Sequence, residues 1–263
     1  MPAAALEQRT LELAGDRSQV VFVAGDGPPL VWLHGINGPD ADQALISALA
    51  ERFQVFAPLA PGFADLDELH ELRDIHDLAL HYDDVLDALE ISQAVLAGLS
   101  FGAMIAAEYA AHYPKRVSRL VLISPVGLWN DNYPVADLWS VPAPELPRLL
   151  YADLSHVQAP TQAGDIDAIV RLVSGMTSVA RFLWPIPDRG LSRRLHRIAA
   201  PTLIVHGERD AFVPVLYADD FLHALPRAEK VIVPGAGHML GVEAPDATLA
   251  AIDKFLLPLE VAL

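Results

Sequence analysis

The chain contains no cysteine. Disulfides, thiolate metal sites and a cysteine nucleophile are therefore excluded, while the compartment stays open on this count. Basic charge is scarce, with 18 Lys and Arg against 34 Asp and Glu and a net charge of -16. Such a chain repels a phosphate backbone, and no basic stripe interrupts the pattern, so nucleic acid is not an expected partner. No apolar run reaches the roughly 18 residues needed to span a bilayer. Met1 to Leu13 also lacks a basic segment followed by an apolar core, so the expectation is a cytoplasmic protein with no membrane partner. Neither Gly-x-Gly-x-x-Gly nor Gly-Lys-Ser/Thr follows a strand pattern, which leaves Gly25-Asp26-Gly27 as a turn and no nucleotide loop. There is no internal repeat or low-complexity tract.

What is present is an ordinary globular composition, 52% hydrophobic and 20% charged over 263 residues, enough to bury one full-sized core. Thr10–Leu13 and Gln19–Ala24 read as an opening antiparallel pair. Continuous apolar runs follow at Leu30–Leu33, Gln54–Ala57, Ala94–Ala97, Arg119–Ile123, Thr202–Val205 and Val231–Val233. Ile75, Leu78, Tyr82, Val85, Leu86 and Leu89 recur at helical spacing. Uninterrupted apolar strands alternating with helices predict an α/β fold whose mostly parallel central sheet carries helices on both faces.

The pentapeptide Gly98-Leu99-Ser100-Phe101-Gly102 joins one of these strands to a small-residue helix. A strand that turns at once into a helix needs small flanking residues, and Ser100 then projects alone above the helix N-terminus. Three further strand ends carry polar residues: His34-Gly35-Ile36-Asn37-Gly38, His206-Gly207-Glu208-Arg209-Asp210 and Gly235-Ala236-Gly237-His238. In open α/β sheets ligands bind at such ends. The order Ser, Asp, His along nearly the whole chain, to the helix at Ala247–Leu257, resembles the α/β-hydrolase family. That resemblance implies residues 1–126 and 200–263 as the core, and a helical cap at 127–199 inserted after the sixth strand. Eight of the 21 prolines lie between Pro125 and Pro187, which predicts short, kinked helices there.

A serine hydroxyl attacks only if a histidine takes its proton, and a buried carboxylate must hold that histidine. Ser100, His238 and Asp210 are assigned these catalytic roles. The developing oxyanion needs aimed donors, taken as the backbone N–H groups of Ile36 and Phe101. Asn37, Trp129, Trp139 and Trp184 are candidates for substrate contact. Glu208, Asp219 and Asp220 compete with Asp210; the position after the preceding strand reads Ser124-Pro125 and offers no acid. His206 is expected to bury its ring against its loop, and His34 to brace one. His70, His76 and His81 with their neighbouring aspartates read as a solvated face; no metal or cofactor is expected.

The resulting expectation is a serine hydrolase acting on a carboxylic ester, thioester or lactone of a small to medium apolar or aromatic molecule. Its partner is that small-molecule substrate, with a homodimer left open. Two alternatives stand beside it. One is a carbon–carbon bond hydrolase of ring-fission products, whose members usually carry an Asn before the serine and an aromatic after the histidine, where this chain has Leu99 and Met239. The other is a receptor-like binding protein with little turnover. An elbow serine argues against the epoxide-hydrolase and dehalogenase branches, which need aspartate there.

Overall fold

The computed structural model describes residues 6–15, 17–157 and 166–257. Eight strands form one sheet: β1 (Glu7–Leu13), β2 (Arg17–Ala24), β3 (Pro29–Leu33), β4 (Gln54–Pro58), β5 (Ala94–Leu99), β6 (Val117–Ile123), β7 (Thr202–Gly207) and β8 (Ala228–Val233). Their spatial order is β1-β2-β4-β3-β5-β6-β7-β8. The pairs β1–β2 and β2–β4 are antiparallel and every later pair is parallel. Every residue of β5 and β7 is buried, which is why these segments read as unbroken apolar runs rather than alternating ones.

The helices are α1 (Gln43–Leu49), α2 (Ile75–Ala88), α3 (Phe101–His112), α4 (Leu146–Leu150), α5 (Ile166–Leu183), α6 (Tyr217–Ala224), α7 (Leu240–Glu243) and α8 (Pro245–Leu256). α2 packs on α3 and α3 on β3, β5 and β6, while α1 packs on α8 at the other face. The chain passes from β3 to β4 on one side, then crosses by α2 to β5 on the other. The crevice above β3 and β5 is thus the switch point at which such sheets bind ligands. α2 opens on Asp74, whose side chain accepts from the N–H groups of His76 and Asp77, satisfying two donors that the first turn leaves unpaired.

The predicted strands and the long helices are all present, with ends moved by a few residues. The segment 127–199 differs from expectation in one respect. α5 is a regular 18-residue helix. Of the eight prolines, five lie at 125–147 and the other three flank α5 at 160, 185 and 187, so the helix itself carries no proline. His81 also departs from its expected place. It is buried between α2 and β2, with Nε2 2.7 Å from Gln19 Oε1, and burial, reinforced by Arg17, holds its imidazole down at about 4.

α3 is almost entirely buried, and its one carboxylate, Glu108, is 1% exposed. Arg194 meets it with a two-pronged ion pair, Nε to Oε2 at 2.8 Å and Nη2 to Oε1 at 2.6 Å. Arg197 donates from Nε to the Ala111 carbonyl at the C-terminal end of α3. The strand of chain returning from residues 127–199 is thereby fastened to the helix that begins beside Ser100. Removing one partner from a buried pair strands the other charge. Arg194→Met is therefore expected to lower unfolding free energy by about 3–5 kcal/mol, with Glu108→Leu/Arg194→Met recovering most of the loss. Urea unfolding at neutral pH checks this, and equal stability of the single and double variants would contradict it.

Candidate active site

The turn between β5 and α3 places Ser100 at φ 57°, ψ -114°, a region that a non-glycine residue occupies at a cost of roughly 1–3 kcal/mol. The flanking glycines are required by contact. A Cβ at Gly98 would stand 2.5 Å from the Gly102 carbonyl, and one at Gly102 only 1.9 Å from the Leu33 oxygen. The N–H of Ser100 donates to Ile123 O at 2.8 Å, and its carbonyl accepts from Met104 N at 3.1 Å. The strain is thus fixed from both sides, by the neighbouring strand and by the first turn of α3.

Ser100 Oγ lies 2.7 Å from His238 Nε2, and His238 Nδ1 lies 2.7 Å from Asp210 Oδ2. With Nδ1–H donating to the carboxylate, Nε2 is left as the acceptor for the serine hydroxyl. The other carboxylate oxygen, Oδ1, accepts from the N–H groups of Phe212 at 3.0 Å and Val213 at 2.8 Å. All three side chains are buried. Burial pushes the Asp210 carboxyl up, but His238 and His206 beside it outweigh that and hold it at about 2. The competing acids are engaged elsewhere: Glu208 accepts from Gly235 N, Asp219 pairs with Lys230 and Asp220 accepts from the Tyr133 hydroxyl.

The His34–Gly38 loop abuts the elbow, since a side chain at Gly35 would begin 3.5 Å from Ser100 Cβ. His34 braces it. Its Nδ1 donates to Gly35 O at 2.7 Å and its Nε2 accepts from Ala60 N at 2.8 Å; burial keeps the ring neutral, down at about 4. Phe101 opens α3, so its N–H is one of those with no acceptor inside the helix. Asn37 is exposed and directs its amide toward Met239 Sδ at 3.8 Å. Beside it a cleft of about 440 Å³ is lined by Ile36, Asn37, Phe63, Arg171 and Leu172, among others.

The three tryptophans are not gathered here. Trp129 donates its indole N–H to Asp131, and Trp139 donates to Met176 O. Trp139 and half-exposed Trp184 border a second, open cleft with Asp137, Ser140 and Ala180. Three features of the site escaped the sequence. Phe212 stands edge-on to His238, centroids 4.8 Å apart. α5 crosses so close that a Cβ at Gly175 would meet Ile36 O at 2.6 Å, and Ser178 donates to Pro61 O at 2.5 Å. His206 touches Asp210. The four-residue spacing of His206 and Asp210 was visible; the approach of α5 leaves no local signal beyond the small residues Gly175 and Ser178.

Residues 20–251 match the model of the alpha/beta hydrolase family, and the chain belongs to that family. It is 26% identical to 2-hydroxymuconate semialdehyde hydrolase of Pseudomonas sp. strain CF600, covering 97% of this chain and 95% of that one. Among solved structures it is similar to a membrane phospholipase A described as a bacterial virulence factor, with TM-score 0.77, 25% identity and coverage of 97% and 87%. It is equally similar in fold to a meta-cleavage product hydrolase of Pseudomonas fluorescens IP01, with TM-score 0.77, 23% identity and coverage of 95% and 97%. Among the described residues no helix is long and apolar enough to cross a membrane.

The low position of the Asp210 carboxyl has a consequence for stability. Its folded value, about 2, is below the ordinary carboxylate value of about 3.9. The stabilisation it confers is therefore complete above the unfolded value and is lost as pH falls toward the folded one. Against Asp210→Asn, the wild type is expected to keep a constant advantage in urea unfolding between about pH 5 and 7, shrinking steadily below about pH 4. A difference that stays constant down to the lowest pH at which both fold would contradict the assignment.

Proposed function

We propose that the protein is a serine hydrolase that cleaves a carboxylic ester, thioester or lactone of a small to medium apolar or aromatic substrate through an acyl-enzyme. The observation that carries this is the unbroken hydrogen-bonded line from Asp210 through His238 to Ser100, buried and ending at a strained elbow. In this reading His238 Nε2 takes the hydroxyl proton as Ser100 Oγ attacks the carbonyl carbon, and Asp210 stabilises the imidazolium that results. The oxyanion is received by the N–H groups of Phe101 and Ile36. Collapse of the tetrahedral intermediate returns the proton from His238 to the leaving group, and water repeats the sequence to release the acid.

Residues 127–199 serve as the cap, with α5 seated over the Ile36 loop. The cleft beside Ile36 and Asn37, walled by Phe22, Leu59, Phe63 and Leu172, is the better-supported acyl pocket; the Trp139–Trp184 cleft is a second candidate surface. The carbon–carbon hydrolase reading is kept for one observation, the end-to-end relationship to 2-hydroxymuconate semialdehyde hydrolase. Leu99 and Met239 are the local departures that place it second.

The two are separated by measuring kcat/KM on p-nitrophenyl esters of increasing acyl length and on a 2-hydroxy-6-oxo-dienoate. Ester turnover with a one-equivalent burst, abolished in Ser100→Ala, is expected; turnover of the dienoate alone would transfer the assignment to the second reading. Leu172→Ala should weaken long acyl chains by roughly fourfold per methylene withdrawn from contact, with acetate unaffected. A uniform drop along the series would exclude this cleft as the pocket.

A further inference from the structure

His206 is fully buried at the end of β7, four residues before Asp210. Its Nε2 lies 2.9 Å from Val213 O and 3.4 Å from Asp210 Oδ2. Both neighbours are acceptors, so Nε2 carries the proton. Val213 returns its own N–H to Asp210 Oδ1, as does Phe212, and the Phe212 ring stands against His238. One imidazole N–H thereby pins the turn that supplies the acid, both amide donors to the acid and the aromatic edge beside the base.

The second nitrogen, Nδ1, is buried with no hydrogen-bond partner among the described residues, and Ser124 Oγ is in the same condition. The two residues stand side by side. Ile123 pairs with Val205 in the parallel register, and the Ser124 N–H donates to Val205 O at 2.8 Å. Ser124 and His206 therefore occupy the next step of the β6–β7 ladder, and Ser124 is held at φ 43°. The two atoms, Nδ1 and Ser124 Oγ, are not hydrogen-bonded to each other, so among the described residues Nδ1 is left unengaged and Nε2 carries every polar contact of the ring. A Leu or Phe at 206 would fill the space but withdraw the N–H that the buried Val213 carbonyl accepts, so packing alone does not account for an imidazole here.

We infer that His206 is a positioning residue for the Asp210–His238 pair, holding the Asp210–Val213 turn through Nε2–H, the tautomer that its two acceptors, Val213 O and Asp210 Oδ2, select. This rests on the assignment of Ser100, His238 and Asp210 above. It makes no new contact with substrate. The consequence is that losing the Nε2–H loosens the carboxylate against His238 while leaving the substrate cleft as it is.

The test compares His206→Phe, which removes the donor, with His206→Gln, whose amide nitrogen reaches the Nε2 position, and His206→Asn, whose shorter amide does not. The low-field proton resonance of the His238 Nδ1–H is recorded for each, with kcat and KM on the best ester. His206→Phe and His206→Asn are expected to lower kcat roughly tenfold, leave KM within about twofold, and shift or broaden the resonance. His206→Gln is expected to restore both toward wild type. Should His206→Phe fail to fold, the Gln and Asn pair decides. Equal kcat and an unmoved resonance in all variants would overturn the inference, as would Gln and Asn impaired alike with lowered melting temperatures. The resonance is read without substrate. Absence of turnover in the wild type would count against the hydrolase assignment, while the resonance would still accept or overturn the positioning role.

Discussion

The N-terminus of α3 is pressed against the ends of β3 and β5 more tightly than any side chain allows, with the backbone of Gly102 lying where a Cβ would come within 1.9 Å of Leu33 O. That approach sets the remaining geometry. It forces the bend onto Ser100, which takes the left-handed φ, and it brings the His34–Gly38 loop to the side of the elbow. It also sets the N-terminus of α3, where the helix dipole favours negative charge, directly after Ser100. A local strain of this size persists only where the surroundings over-determine it. Here the surroundings are the Ile123 carbonyl, the first turn of α3 and a helix buried along its length and fastened by the Glu108–Arg194 pair.

Around the acid the same logic is carried by hydrogen bonds. A carboxylate with both oxygens occupied by donors, and buried beside two imidazoles, stays ionised against a desolvation penalty that would otherwise neutralise it. Its charge then faces His238 Nδ1, which it holds at 2.7 Å. The turn Asp210–Val213 is held from the β8 side by Glu208 N to Val233 O and Arg209 N to Ala236 O, and from the 127–199 segment by Ala136 N to Phe212 O. The acid loop, the base loop and the covering segment are thus joined by backbone contacts that do not depend on any one side chain.

The sheet and the elbow were legible in the sequence because each rests on short-range chemistry. Apolar runs three to five residues long, punctuated by Gly and Pro, mark buried parallel strands, and Gly98 and Gly102 announce a crossing that excludes side chains. Asp210 was favoured over Glu208, Asp219 and Asp220 because the family's alternative acid position reads Ser124-Pro125 and offers no carboxylate, and Asp210 is the one of the four that meets His238. What lay beyond reach was pairing across the fold. His81 carries no sequence mark of its contact with Gln19, 62 positions away. The length of α5 was obscured by counting prolines over a whole segment, when what matters is that none falls between 161 and 184. The tryptophans drew attention as bulky apolar residues, yet the approach to Ile36 is made by Gly175, a residue notable for having no side chain.

The central claim, that Ser100 alone is made nucleophilic by the buried line through His238 to Asp210, is tested most directly by reaction with an alkyl fluorophosphonate followed by peptide mass mapping. One adduct per chain is expected, located on Ser100 and absent in His238→Ala and Ser100→Ala under the same conditions. Modification of a different hydroxyl, or labelling of Ser100 at an undiminished rate in His238→Ala, would contradict it.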